Sequence, residues 1–185
     1  MREHDIKMLI AGDPWMMNVL RRVRELNLPD SCVCAGFVRS KIWDILHGFH
    51  SPTPLQDVDV VYYDAKDTRE SAERGYERVL QEMDSTIPWS VKNQARMHEK
   101  SGFLPFVSTI DGIAHFTETC TAVGTYMDAE GDIHIIAPHG LDDLSNLIVK
   151  PTPYFLSPEK IHIYRDRIQS KQWQVQWHLL RLEWE

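Results

Sequence analysis

Gln56-Asp57-Val58-Asp59-Val60-Val61-Tyr62-Tyr63-Asp64 sets two carboxylates, one residue apart, at the mouth of an apolar run. A β-branched and aromatic run of this length reads as a buried strand. Side chains alternate across a strand, so Asp57 and Asp59 share one face with Cα atoms about 6.6 Å apart, while Val58, Val60 and Tyr62 take the other. One face packs on the core and the other brings two like charges together. Charges held that close raise each other's pKa unless a cation lies between them, and hard oxygen donors of this kind suit Mg²⁺ or Mn²⁺. In phosphoryl transfer such ions neutralise phosphates and align attacker with leaving group. Taken alone, the Asp-x-Asp spacing favours edge solvation or capping.

The segment upstream shifts that balance. SCVCAGF, residues 31–37, is a small apolar run ending at a glycine, and VRSKIWDILHG follows with Val38, Ile42, Ile45 and Leu46 on one helical face. The order is strand, glycine turn, helix, then a two-proline loop that delivers the chain to the Asp-x-Asp strand. A glycine at such a turn admits a phosphate close to the backbone, the helix N-terminus offers free N–H groups, and Arg39 adds a charge-assisted bond. Gly36, Arg39 and Ser40 are therefore the expected nucleotide-phosphate residues.

The other elements follow from caps and periodicity. Asp13-Pro14 starts a helix that ends near Asn27, and Asp67 is expected to cap one that runs to about Asp84. PWSVKN reads as a third strand and QARMHEKSGF as a short helix and loop. AVGTYMD and IHIIAP form a hairpin across AEGD. Ser157-Pro158-Glu159 opens a helix through about Ile168, and the tail after Lys171 fits strand or helix equally. Residues 1–30 form an N-terminal helical segment and 157–185 a C-terminal helical tail of one expected domain spanning 1–185.

Composition narrows the function classes. The 185 residues carry a formal charge of −7, which opposes broad capture of nucleic acid. Its densest basic strip, Lys160, Arg165, Arg167 and Lys171, reads as the solvated face of a terminal helix. Three cysteines, an odd number, fit reduced thiols in a cytoplasmic compartment, and Cys32 and Cys34 read as small core residues. No run is long enough to span a membrane, no G-x-S-x-G elbow supports acyl transfer, and the nine histidines read as structural, with His98 nearest the site by position. The tryptophans read as packing anchors.

Taken together, AGFVRSKIWDIL, DVDVVYYD, WSVKNQARMH and IHIIAPHGLDDL with KPTP resemble a bacterial family of nucleotidyltransferase-like proteins within the DNA polymerase β-like superfamily. The resemblance runs from about residue 31 to Trp177. It implies an α+β fold in which a small mixed sheet is flanked by helices. It also implies a glycine-led helix at the nucleotide phosphates and Mg²⁺ (or Mn²⁺) held by Asp57 and Asp59. The superfamily's third carboxylate, expected on the next core strand, is missing from Trp89-Ser90-Val91-Lys92-Asn93. Asn93 as a neutral ligand, or Asp111 or Glu118 from later segments, can fill that place, and Arg96 is expected to touch a phosphate.

The expected reaction is transfer of NMP from a nucleoside triphosphate to a hydroxyl acceptor, a small molecule or protein before a long nucleic acid. The alternatives are a nucleotide- or metal-binding module of the same fold without turnover, and a metal-dependent phosphohydrolase.

Overall fold

Three residues, Cys32, Val33 and Cys34, form the central strand, and everything around the site is arranged by which side of that strand it packs on. In the computed structural model, which describes residues 1–184 with the side chains at positions 100 and 101 left aside, α1 (Glu3–Ala11) and α2 (Pro14–Glu25) lead into β1 (Cys32–Cys34) and α3 (Gly36–Leu46). Then come β2 (Val58–Tyr62), α4 (Glu70–Met83), β3 (Trp89–Asn93), α5 (Gln94–Ser101) and α6 (Thr109–Ala114). The chain closes with β4 (Gly124–Met127), β5 (Ile133–Ile136), α7 (Asp142–Ser145), β6 (Ile148–Val149), a 3-10 turn (Pro153–Phe155), α8 (Ile161–Lys171), α9 (Trp173–Gln176) and β7 (Arg181–Leu182). Residue 185, the last of the expected tail, lies outside the described residues.

The sheet runs β3-β2-β1-β4-β5. β2 and β3 are parallel, and the other neighbours are antiparallel. This is the small mixed sheet with flanking helices expected for the α+β class. Helix α4 supplies the crossover that a parallel β2–β3 pair requires.

Alternation divides the sheet cleanly. Val33, Val58, Val60, Tyr62 and Val91 lie in the larger core with residues of α1, α2, α3 and the C-terminal segment. Cys32, Cys34 and Val61 face the other way, against Ile113, Ala122 and Ile136. Asp59 pairs across from Cys34, so it belongs to this second, smaller face. A Cβ on Gly124 would come within 3.0 Å of Cys32 Sγ, so only glycine lets β4 lie this close to β1. Cys32 and Cys34 are buried and free, as expected of core residues, and Cys120 is buried and free as well.

Two helix starts differ from the sequence reading. The Asp67 carboxylate accepts from the Arg69 N–H and pairs with the Arg69 guanidinium, and α4 begins only at Glu70. Helix α8 begins at Ile161, because Ser157 and the residues after it form turns closed by Lys160 and Ile161 N–H donation to the Ser157 carbonyl. Among the described residues no helix is long and apolar enough to cross a membrane.

The parallel β2–β3 edge rests on one acid. Glu73 of α4 is fully buried, and its Oε1 accepts from the Asn93 N–H (2.8 Å) and from Arg96 Nε (2.7 Å), while Oε2 accepts from Arg96 Nη2 (2.6 Å). Removing one partner of such a pair strands the other charge and costs about 3 kcal/mol or more. Glu73→Ala is expected to lower the stability read by urea denaturation by about that amount; an unchanged midpoint would show that the pair does not anchor β3.

Candidate functional site

The turn from β1 into α3 is strained at a residue the sequence did not single out. Ala35, the residue that caps α3, has φ 55° and ψ −119°, a conformation that costs a residue with a Cβ on the order of 1–3 kcal/mol. It is held there by donation of its N–H to the Val123 carbonyl (2.8 Å) and by its own carbonyl accepting from Arg39 N–H (3.0 Å). Gly36 is in ordinary helical backbone, and a Cβ there would meet Arg39 Nη2 at 3.5 Å and Leu55 Cδ2 at 3.8 Å, normal contact distances. The special backbone position is therefore Ala35 rather than Gly36.

Arg39 points inward. Its guanidinium lies 5.1 Å from the Trp43 ring centroid and 4.4 Å from that of Trp173, and Nη1 donates to Thr121 Oγ1 at 3.2 Å. Nε is buried with no hydrogen-bond partner. No carboxylate stands within ion-pair distance of it among the described residues, although Glu118 and Asp59 act on it from further away. Burial lowers its pKa, yet a guanidinium stays charged. The site thus contains a buried cation without a direct counter-charge. Next to it on α3, buried Asp44 accepts from Thr53 N–H and hydroxyl, both at 2.7 Å, and from Trp177 Nε1 at 2.8 Å. That carboxylate fixes the loop ahead of Asp57 and the C-terminal segment to the same helix.

Asp57 stands exposed just before β2 and Asp59 is inside the strand, opposite Cys34 on one side and Ser90 on the other. Burial and then the neighbouring Asp57 push the Asp59 carboxyl up to about 6, against the Ser90 hydroxyl, Arg39 and Arg167, which act the other way. Two compartments flank the pair. A groove of about 360 Å³ is lined by Gly36, Arg39, Ser40, Asp57, Lys171 and Trp173, among others. A cavity of about 330 Å³ holds Asp59, Lys92, His115, Glu118, Thr121 and Arg167. The groove thus gathers Gly36, Arg39, Ser40 and Asp57, while Asp59 lines the cavity.

Asn93 and Arg96 are directed elsewhere. Asn93 Oδ1 accepts from the N–H groups of Asp64 and Ala95, and Nδ2 donates to the carbonyls of Asp64 and Asp67. Its amide is saturated as the cap of α5 and the staple of the loop after β2, which leaves no free oxygen for an ion. Arg96 is forked onto Glu73. Of the two later acids, Asp111 accepts from Val107 N–H and sits 3.5 Å from His115 Nδ1, whereas fully buried Glu118 reaches the cavity shared with Asp59. Among the described residues no group of three His, Cys, Asp or Glu side chains is clustered as a ready metal cage. His115 rather than His98 lines the cavity; His98 stands edge-on to Phe106.

The basic strip is also only partly solvated. Arg167 Nε donates to Glu118 Oε1 at 2.7 Å, and Lys171 lines the groove beside Asp57. Their four-residue spacing was visible in sequence, but nothing there told which face of the helix turned inward.

A family model described as Nucleotidyltransferase matches residues 21–182. The chain is 33% identical, over 98% of its length and 96% of the other chain, to an NMR structure that reveals a CCA-adding enzyme head domain, with a TM-score of 0.88. It is also similar to the Thermotoga maritima CCA-adding enzyme complexed with tRNA (16% identity, TM-score 0.60, 96% of this chain and 42% of that one). A CCA-adding enzyme in complex with CTP gives 16% identity and a TM-score of 0.61, over 96% of this chain and 43% of that one. These two likenesses show the fold alone, and the chain spans less than half the length of either enzyme. No curated protein matches the chain. The match over residues 21–182 and the near full-length relative place it plainly: the chain belongs to this nucleotidyltransferase family.

Proposed function

We propose that the chain transfers a nucleoside monophosphate from a nucleoside triphosphate to a hydroxyl acceptor, with Mg²⁺ or Mn²⁺ held by Asp57 and Asp59. The observation that carries this reading is the pairing of a buried, uncompensated Arg39 with two carboxylates at the same turn. A phosphate chain at the groove would supply Arg39 with its counter-charge, and a divalent ion would favour the charged Asp59 against the burial and the Asp57 repulsion that raise its pKa. The donor set fits such an ion: Asp57 and Asp59 offer hard oxygens close enough for Asp57 to act on the Asp59 carboxyl, and Glu118 Oε2 in the cavity with Asp59 is buried without a partner. When bound, the ion would offset phosphate charge at the reacting centre.

The protein's own residues do the positioning. Gly36, Arg39 and Ser40 line the groove that would receive the phosphates. The acceptor hydroxyl gives up its proton to solvent as its oxygen attacks the α-phosphorus, and the bond from that phosphorus to the bridging oxygen breaks so that pyrophosphate leaves. The likeness to CCA-adding enzymes solved with CTP and with ATP supports a nucleoside triphosphate as donor. The chain's net charge of −7 favours a small molecule or a protein over a long nucleic acid as acceptor.

Incubation with each labelled nucleoside triphosphate and Mg²⁺ or Mn²⁺ tests the reading. Transfer of label supports it, free phosphate points to a phosphohydrolase, and neither product with retained binding points to a module without turnover. Asp57→Asn and Asp59→Asn are each expected to lower transfer by about 100-fold or more and to weaken Mg²⁺ binding in calorimetry. Unaltered Mg²⁺ affinity in both variants would falsify the metal assignment.

The raised Asp59 pKa has a stability consequence with a definite sign. A carboxyl whose folded pKa lies above its unfolded value binds more protons when folded, so the metal-free protein loses stability as pH rises from about 4 to about 6. Asp59→Asn removes that charge and keeps an acceptor for Ser90. In the metal-free protein it is expected to raise the melting temperature at about pH 8 by a few degrees and to have little effect at about pH 4. The same increment at both pH values would show that Asp59 is not destabilised by its charge.

A further inference from the structure

Helix α8 was expected to turn its basic residues to solvent, but two of them meet the compartments on either side of the carboxylate pair. Arg167 lines the cavity that contains Asp59. Lys171 lines the groove that contains Gly36, Arg39 and Asp57. Residues four apart share a helix face, so one face of α8 looks across both compartments at the β1–α3 turn.

The pairing of Arg167 is incomplete in a way that a purely structural ion pair would not require. Glu118, fully buried, accepts from Arg167 Nε through Oε1, and its Oε2 has no partner. A fork between guanidinium and carboxylate normally uses two parallel bonds. Here one bond orients the guanidinium, and Nη1 and Nη2 have no hydrogen-bond partner among the described residues. Lys171, exposed at the end of α8, likewise has no hydrogen bond or ion pair among the described residues. The helix itself is firmly placed: the Tyr164 hydroxyl donates to the Val149 carbonyl at 2.9 Å, and Trp173, two residues past Lys171, stacks on Arg39.

We propose that α8 supplies the opposing half of the phosphate site: Arg167 and Lys171 grip the nucleotide's phosphate chain from the side facing Gly36 and Arg39, and Glu118 is the residue that positions Arg167. This rests on the reading of the chain as a nucleotide-binding enzyme. The open nitrogens of Arg167 match a pair of phosphate oxygens, and Lys171 acts as a point charge further along the chain. The occupant is thus a polyphosphate that reaches across the carboxylate pair.

The test is an equilibrium titration of the full chain with inorganic tripolyphosphate and with ATP, each with Mg²⁺. Lys171→Gln, a surface change that leaves the fold alone, is expected to weaken tripolyphosphate binding about tenfold. Arg167→Lys, which keeps the charge and loses the fork, is expected to do the same. In tripolyphosphate titrations repeated without Mg²⁺, where no ion is held, Glu118→Ala is expected to match Arg167→Lys, and Glu118→Gln, which retains an acceptor for Nε, to restore most of the affinity. Wild-type affinity in Lys171→Gln and Arg167→Lys overturns the proposal and leaves the nucleotide reading standing. A wild-type chain that binds neither tripolyphosphate nor ATP overturns both. Loss of affinity in the variants of a chain that transfers no nucleotide supports the clamp and counts against the transferase.

Discussion

The stacking of the Arg39 guanidinium between the indoles of Trp43 and Trp173 holds the two ends of the site together. Trp43 lies on α3, one turn beyond Arg39, and Trp173 opens α9, more than a hundred residues later. A cation desolvated in this way gains from the ring faces but still lacks a full counter-charge. Trp177 adds a second tie, edge-on to Trp43 and bonded to Asp44. These contacts set α9 beside Asp57, together with the bonds from Gln176 to Thr53 and from the Leu179 N–H to His47. The wall formed by Lys171, Gln172 and Trp173 therefore depends on an arginine at the other end of the chain.

The sheet explains why the acids are where they are. Its large face carries the bulky core, and its small face packs Cys32, Cys34 and Val61 on a smaller cluster drawn from α6, the segment ahead of β4 and β5. Asp59 opens from this face into the cavity, while Cys32, Cys34 and Gly124 are small enough to keep β1 close to its neighbours. Placing a carboxylate there works against folding, as its raised pKa records. Strained Ala35 adds a second local cost at the same turn. Two such costs at one place fit a site kept for chemistry rather than for stability.

Much of this was legible from local pattern. The period-two run after Asp57 set β2 and the face shared by the two acids, and the glycine-ended run before Phe37 set the turn. What failed to show was long-range pairing. Asn93 stands where a third acid was sought, and only the folded loop reveals that Asp64 and Asp67 consume its amide. Arg96 looked free because Glu73 is 23 residues away. Glu118 and Arg167 are 49 residues apart, and neither a connecting segment nor a weakly patterned helix announces a buried ion pair. Ala35 was passed over because a positive φ is not expected of alanine.

The signs of charge around the site constrain what can occupy it. Asp59 comes from β2, Asp57 from just before it and Glu118 from the segment ahead of β4, whereas Arg39, Arg167 and Lys171 come from helices α3 and α8. A lone anion entering the groove meets the cationic groups but also the exposed Asp57, and a lone cation at the acids meets Arg39 and Arg167 nearby. Neither satisfies the whole set. A polyphosphate carrying a divalent ion presents both signs in the order the site offers them, positive toward β2 and negative toward the helices. Binding of the two parts would then be coupled, because each would relieve the repulsion that the other faces alone.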